Sequence, residues 1–224
     1  MAGSWEIRNN TSVLLYTLHT EQTTIAWAYG LRALMLPGHV MGLSGMPFDM
    51  ARNMACQRCL EGGYDWLMSL DSDVIPPPDT VHRLLARKQP IVSGLYCRRS
   101  PPHAIPVMIK DGAWVTRFAP GSLVEVDLVG AGCLLVHRSV LERCPPQRPG
   151  HRWFDWRVNY QGVNGEDGKP LFPVGACLSE DFTWCQHVRK NGHRIFCDTS
   201  VICRHVGMAE ATYNSYLPLN SNPM

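Results

Sequence analysis

Charge is scarce in this chain: Lys, Arg, Asp and Glu make up 18% of its 224 residues and nearly cancel, leaving a formal net charge of +2. So even a balance sets up no general field for a polyanion, and nucleic acid is permitted as a partner but not indicated. No stretch reaches the roughly 20 apolar residues that a membrane span requires. The first ten residues, with Trp5, Glu6 and Arg8, lack the basic-then-apolar order of a secretory signal. There is no internal repeat, no low-complexity linker, and no Gly-rich basic phosphate loop near the N-terminus. Nine cysteines are present, but their number is odd and their spacing forms no disulfide framework. Free thiols in a reducing, cytoplasmic setting are expected. Cys56-x-x-Cys59 falls within a predicted helix with no second ligand pair at zinc-site spacing, which argues against zinc.

What is present reads as one globular domain, with a core over about 11–207 and a tail over 208–224. Ser12 to Leu18 is a short apolar run of strand formers. Thr23 to Leu36 predicts a helix stopped by Pro37-Gly38, and His39 to Leu43 a second strand. A helix from Pro47 to about Leu60 ends at Gly62-Gly63, and Tyr64 to Leu70 is an apolar strand running into Asp71-Ser72-Asp73. After the Pro76 to Pro78 break, a helix to about Arg87 and a strand over Ile91 to Tyr96 complete an alternation that predicts an α/β sheet with parallel pairing. Val107 to Ile109, Ala113 to Phe118 and Leu123 to Leu128, separated by Asp111-Gly112 and Pro120-Gly121, predict a small antiparallel insertion. Cys133 to His137 is a further apolar run, Ser139 to Arg143 a helical turn, and Gln147 to Gly175 a long ordered loop. Ser179 to Lys190 is the best-marked helix, with Glu180 and Asp181 in its first turn, and Arg194 to Cys197 and Val201 to Cys203 are short strands.

The chemistry concentrates in a few places. Asp71 and Asp73 stand where an apolar strand ends, the edge at which open α/β sheets bind ligands, and two carboxylates there suit Mn²⁺ or Mg²⁺ sharing phosphate oxygens and water. An isolated Asp-x-Asp is more often a solvated turn that caps the next helix. Glu180-Asp181 is a second acidic pair, which the helix dipole alone would favour. Gly130-Ala131-Gly132 permits close backbone approach. Trp153, Phe154, Asp155 and Trp156 form an aromatic cluster whose faces could stack on a sugar, or could simply anchor the loop.

Taken together, the apolar strand Leu67 to Leu70, the Asp-x-Asp and the trailing Val74-Ile75-Pro76 resemble the GT-A glycosyltransferases, notably family two. The resemblance runs from about Thr11 to Gly207 and implies a GT-A (Rossmann-like nucleotide-diphospho-sugar transferase) fold, with a mostly parallel central sheet and a small antiparallel insertion. It implies a divalent cation on Asp71, Asp73 and His205. Arg52 and Asn53 stand where that family carries an arginine and asparagine facing the nucleotide. Glu180-Asp181 matches its Glu-Asp motif under the acceptor site, the aspartate being the general base of inverting members. Thr17, His19, Ser72 and Gly130 to Gly132 (with Ala131 between them) would line the donor, and Trp153 and Trp156 the acceptor. His193 resembles a structural turn position. The chain lacks the Gln-x-x-Arg-Trp pattern of processive polymer synthases, so a single transfer from a UDP- or GDP-linked sugar to an acceptor hydroxyl is expected, with stereochemistry undecided. A nucleotidyltransferase, a non-catalytic carbohydrate-binding module and a transferase acting on modified nucleic-acid bases are the competing expectations.

Overall fold

The computed structural model describes residues 11–19, 22–98, 105–147, 152–158, 163–164, 170–172 and 177–206. Most of the long loop and the whole tail expected from the sequence lie outside these residues. In chain order the elements are β1 (Val13–Leu18), α1 (Ile25–Ala33), β2 (Gly38–Leu43), α2 (Phe48–Glu61), β3 (Trp66–Asp71), β4 (Val74–Ile75), α3 (Thr80–Ala86) and β5 (Ile91–Leu95). They continue with β6 (Met108–Lys110), β7 (Ala113–Trp114), β8 (Leu123–Val126), β9 (Leu128–Val129), β10 (Cys133–His137) and α4 (Arg138–Arg143). The last are β11 (Arg157–Val158), β12 (Val163–Asn164), β13 (Pro170–Phe172), β14 (Cys177–Leu178), α5 (Glu180–Lys190), β15 (Ile195–Ile202) and β16 (Arg204–His205).

The central sheet has seven strands in the order β2-β1-β3-β10-β5-β15-β8. Strands β2, β1, β3, β5 and β15 run one way, while β10, between β3 and β5, and the edge strand β8 run the other. The fold is thus α/β with a mostly parallel central sheet and small antiparallel sheets, as expected. The central strands are mostly apolar because both faces are covered, with buried Ser69 on β3, Ser93 on β5 and Asp198 on β15 among the exceptions. Side chains alternate between the faces: Leu14, Tyr16 and Leu18 of β1 join a core with α2, α4 and α5, whereas Val13 and Leu15 join a second core with Met68, Leu70, Val81 and Leu84. Each such aliphatic side chain contributes about 1.5–3 kcal/mol by leaving water.

Several boundaries differ from those read in the sequence. The first helix stops at Ala33: Leu34 is extended, Met35 N–H donates to the Pro78 carbonyl at 2.8 Å, and Leu34 and Leu36 pack on the second core. The residue before Pro37 is in any case disfavoured in a helix. Pro47 sits at the N-cap of α2, one position outside the helix. The two short strands expected at 194–203 are one strand, β15, with an irregularity between Asp198 and Ile202. The antiparallel insertion divides: β6, β7 and β9 form a small sheet, whereas β8 joins the edge of the main sheet against β15. Eight described cysteines are free and buried, and no described helix is long and apolar enough to cross a membrane.

Candidate active site at the carboxyl edge of the sheet

The parallel strands β1, β3, β5 and β15 all end on one edge, and antiparallel β10 begins there. The topology therefore gathers Thr17 and His19, Asp71 to Asp73, Tyr96, Gly130 to Gly132 and His205 on that edge. The Asp71–Asp73 turn is held by its neighbours: Ser72 N–H donates to the Leu18 carbonyl at 3.2 Å, Thr23 Oγ1 to the Ser72 carbonyl at 3.1 Å, and Trp27 Nε1 to the Asp71 carbonyl at 2.9 Å. Asp71 N–H donates to the Gly132 carbonyl at 3.1 Å, tying this turn to the glycine turn before β10.

Strand β16 pairs with β4, placing His205 opposite Val74. His205 Nε2 lies 3.4 Å from Asp73 Oδ2, and its Nδ1 is 2.7 Å from the Cys97 carbonyl. A carbonyl only accepts, so Nδ1 carries the hydrogen of that bond; in the neutral ring Nε2 then keeps its lone pair on the Asp73 side. A backbone carbonyl behind the ring is the arrangement seen for histidines that bind metals. Among the described residues, no three His, Cys, Asp or Glu side chains converge closely enough to hold a metal ion unaided.

Asp71 faces Arg52. The buried guanidinium donates to Asp71 Oδ1 at 3.1 Å through Nη2, to Glu180 Oε1 at 3.0 Å through Nε, and to Tyr16 Oη at 3.2 Å and Ser69 Oγ at 2.8 Å through Nη1. Phe154 lies under it, 5.9 Å from ring centre to guanidinium carbon, and stacks on Trp184 at 5.3 Å. Burial works against the Arg52 charge, but Asp71, Tyr16 and Glu180 more than offset it, and its pKa is held well above the ordinary value. Burial pushes the Asp71 carboxyl up; Arg52 opposes this and Asp73 adds to it. With 30% of the Asp71 side chain exposed, solvent moderates that push. Glu180 is also raised by burial, with Arg52 again opposing.

Although adjacent on the first turn of α5, Glu180 and Asp181 diverge. Glu180 points inward to Arg52, while Asp181 Oδ2 accepts from Ala131 N–H at 3.4 Å. Asp181 Oδ1 accepts from Phe182 N–H at 2.8 Å and from Ser179 Oγ. The glycine turn is filled from behind: a Cβ at Gly130 would lie 2.0 Å from Tyr96 Oη, and one at Gly132 would lie 3.0 Å from it. The Tyr96 hydroxyl accepts from Gly132 N–H at 3.0 Å, and burial, with Asp71 and Asp181 nearby, pushes its pKa well up.

Asp71, Ser72, Asp73, Gly130, Ala131, Gly132, Asp181 and His205 are thus brought together. Thr17 is buried at the end of β1, and His19 is half-buried against Gly42. Asn53 is committed to the aromatic segment: its Nδ2 donates to the Asp49 and Phe154 carbonyls, both at 2.7 Å, and its Oδ1 accepts from Trp153 N–H at 2.9 Å. Trp153 is buried and donates to the Leu141 carbonyl at 2.9 Å, whereas Trp156 is exposed. Sequence reading missed Tyr16, Ser69 and Tyr96. Tyr16 and Ser69 are register partners on β1 and β3, and the available signal was a polar atom inside an otherwise apolar buried strand. Tyr96 gives a weaker one, as the first residue beyond the end of β5.

No family model matches the chain, and no curated protein matches it. Among solved structures, A197 from STIV superimposes with a TM-score of 0.60 at 18% identity, covering 87% of this chain and 85% of that one. Mannose-1-phosphate geranyltransferase from Thermus thermophilus follows at 0.41 and 10% identity, covering 60% of this chain and 61% of that one. A glycosyltransferase involved in the glycosylation of the major capsid of PBCV-1 scores 0.32 at 13% identity, covering 58% and 62%. The likeness to A197 is one of fold; the other two are too distant to bear on the reaction.

Proposed function

We propose that the chain is an enzyme, a metal-dependent glycosyltransferase of the GT-A type, built as one catalytic domain and working in the cytoplasm. It moves a sugar from a UDP- or GDP-linked donor to an acceptor hydroxyl in a single transfer. The observation that supports this most is the meeting of Asp73 and His205 at 3.4 Å on the carboxyl edge, with Cys97 orienting the imidazole from behind. One carboxylate and one imidazole suit Mn²⁺ or Mg²⁺ when diphosphate oxygens supply the other ligands. Asp73 and His205 would hold the ion, with Asp71 as the neighbouring carboxylate. When bound, the ion offsets the charge that builds on the departing nucleoside diphosphate.

The chain's own groups divide the remaining work. Asp181, held through both oxygens, keeps lone pairs for the acceptor hydroxyl; in an inverting transfer it takes that proton, and in a retaining one it orients the hydroxyl. Glu180 acts through Arg52, fixing the start of α5 to the Asp71 strand. Thr17, His19, Ser72 and the Gly130 to Gly132 turn frame the donor, while Arg52 and Asn53 support the site from behind. Exposed Trp156 offers a face to the acceptor, and buried Trp153 anchors its segment.

The test is release of nucleoside diphosphate from a panel of nucleotide sugars with Mn²⁺, Mg²⁺ or EDTA, for wild type, Asp73→Ala, His205→Ala and Asp181→Asn. Metal-dependent release from one donor, lost in the first two variants, is expected. Release of pyrophosphate from a nucleoside triphosphate and a sugar phosphate would instead make the chain a nucleotidyltransferase. Metal-independent sugar binding with neither release would make it a binding module.

A further inference from the structure

The glycine turn before β10 ties Asp71, Asp181 and Tyr96 together through its backbone. Gly132 carbonyl accepts from Asp71 N–H at 3.1 Å, Ala131 N–H donates to Asp181 at 3.4 Å, and Gly132 N–H donates to Tyr96 Oη at 3.0 Å. Tyr96 also reaches the other half of the site: its ring meets His205 edge to face, centroids 5.5 Å apart and planes at 87°. The tyrosine is itself fixed, because its carbonyl accepts from Val107 N–H at 2.9 Å and its side chain is buried. Its hydroxyl occupies the space that any larger residue at position 130 would need, the would-be Cβ lying 2.0 Å away. An edge-to-face ring contact and a buried hydrogen bond each resist displacement, so one rigid side chain with two torsions spans the histidine and the turn.

We infer that Tyr96 is a positioning residue: from a single side chain it sets the angle of His205 and the height of the Gly130 to Gly132 turn, keeping the metal station and the Asp181 carboxylate in register. The role rests on the transferase reading above. It also gives the two glycines a purpose beyond room for a donor sugar, since their missing side chains are what let the Tyr96 hydroxyl reach the backbone.

The two ends of Tyr96 separate by substitution. Tyr96→Leu removes the ring behind His205, and Mn²⁺ affinity, read by electron paramagnetic resonance with saturating UDP or GDP present to supply the diphosphate oxygens, is expected to weaken about tenfold or more, as for other supports of metal-binding histidines. Tyr96→Phe keeps the ring and loses the hydroxyl. Mn²⁺ affinity should then stay within about twofold, while kcat for nucleoside diphosphate release falls about tenfold with donor KM unchanged, because Gly132 N–H loses its partner. Gly130→Ala displaces the hydroxyl and should weaken Mn²⁺ binding as Tyr96→Leu does. In Tyr96→Phe/Gly130→Ala the clashing oxygen is gone, and the contacts that remain, Val107 Cγ1 at 2.9 Å and the ring's own Cζ at 3.1 Å, need these side chains to give by only a few tenths of an ångström. Mn²⁺ affinity should return to that of Tyr96→Phe, a strongly non-additive pair. This cycle decides the matter even if Tyr96→Leu does not fold. No Mn²⁺ binding by wild type with either nucleoside diphosphate present, or binding untouched by His205→Ala, would overturn the transferase reading and this role with it. Binding lost in His205→Ala but intact in Tyr96→Leu and Gly130→Ala, or additive losses in the double variant, would overturn the role of Tyr96 alone.

Discussion

Replacing Arg52 by methionine keeps most of the side-chain volume and removes the charge that Asp71 and Glu180 share. The variant leaves both carboxylates, Tyr16 Oη and Ser69 Oγ without their donor. Breaking a buried ion pair from one side costs about 3–5 kcal/mol; with Asp71 30% exposed, the low end applies, about 3 kcal/mol. For a chain of this size that lowers Tm by about 6–12 °C. The loss carries a pH signature. Asp71 and Glu180 already lie above their ordinary values of 3.8 and 4.5 through burial, and Arg52 is what restrains them. Without it they rise further. A carboxyl whose folded pKa exceeds its unfolded one penalises the fold above the folded value, and the penalty is relieved as pH falls through it. The gap between wild type and Arg52→Met should therefore be widest near pH 8 and narrow toward pH 5 in thermal melts followed by circular dichroism, and Arg52→Met/Glu180→Gln should recover part of it. A gap under about 1 kcal/mol, or one that widens in acid, would refute the reasoning.

Two further substitutions probe the frame around the site. Asn53→Ala removes the bonds to Asp49, Trp153 and Phe154 and should cost about 2–3 kcal/mol; limited proteolysis should then cut near residues 152–156 sooner than in wild type. Asp198, fully buried, accepts from Arg87 Nε at 2.6 Å and Nη2 at 2.7 Å and from Ser200. Burial pushes its carboxyl up, but these donors outweigh burial and hold it below the ordinary 3.8. Such a group stabilises the fold above its unfolded value, and that contribution is lost as pH falls through the folded one. Arg87→Ala should therefore lose about 2 kcal/mol at pH 7, less than a fully buried pair would because Arg87 is 32% exposed. Urea melts should show the gap closing in acid, below about pH 4.

Legibility followed the range of the interactions. The strand ending in Asp71-Ser72-Asp73 and the acidic start of α5 are visible because each is written in a dozen contiguous residues: an apolar run, a turn, an N-cap, a basic last turn. The helix beginning after Pro47 was legible for the same reason, yet the duties of Arg52 and Asn53 on it were not. Helical position alone cannot say that one turns inward to Glu180, distant in the chain, and the other to the backbone of Trp153 and Phe154. Likewise, Cys133 to His137 reads as an apolar run, but its place between β3 and β5, reversed, depends on which strands leave a gap for it.

The sequence by itself therefore determined the α/β class, the strand-end location of the Asp-x-Asp and the first-turn position of Glu180 and Asp181, since hydrophobic periodicity and capping act over a few residues. Only the tertiary structure decided that Asp73 meets His205 through the β4–β16 pair, that Arg52 joins Asp71 to Glu180, and that Tyr96 occupies the room left by Gly130 and Gly132. Those contacts form when the sheet closes and distant segments compete for the same buried donors and space, a competition that no local pattern records.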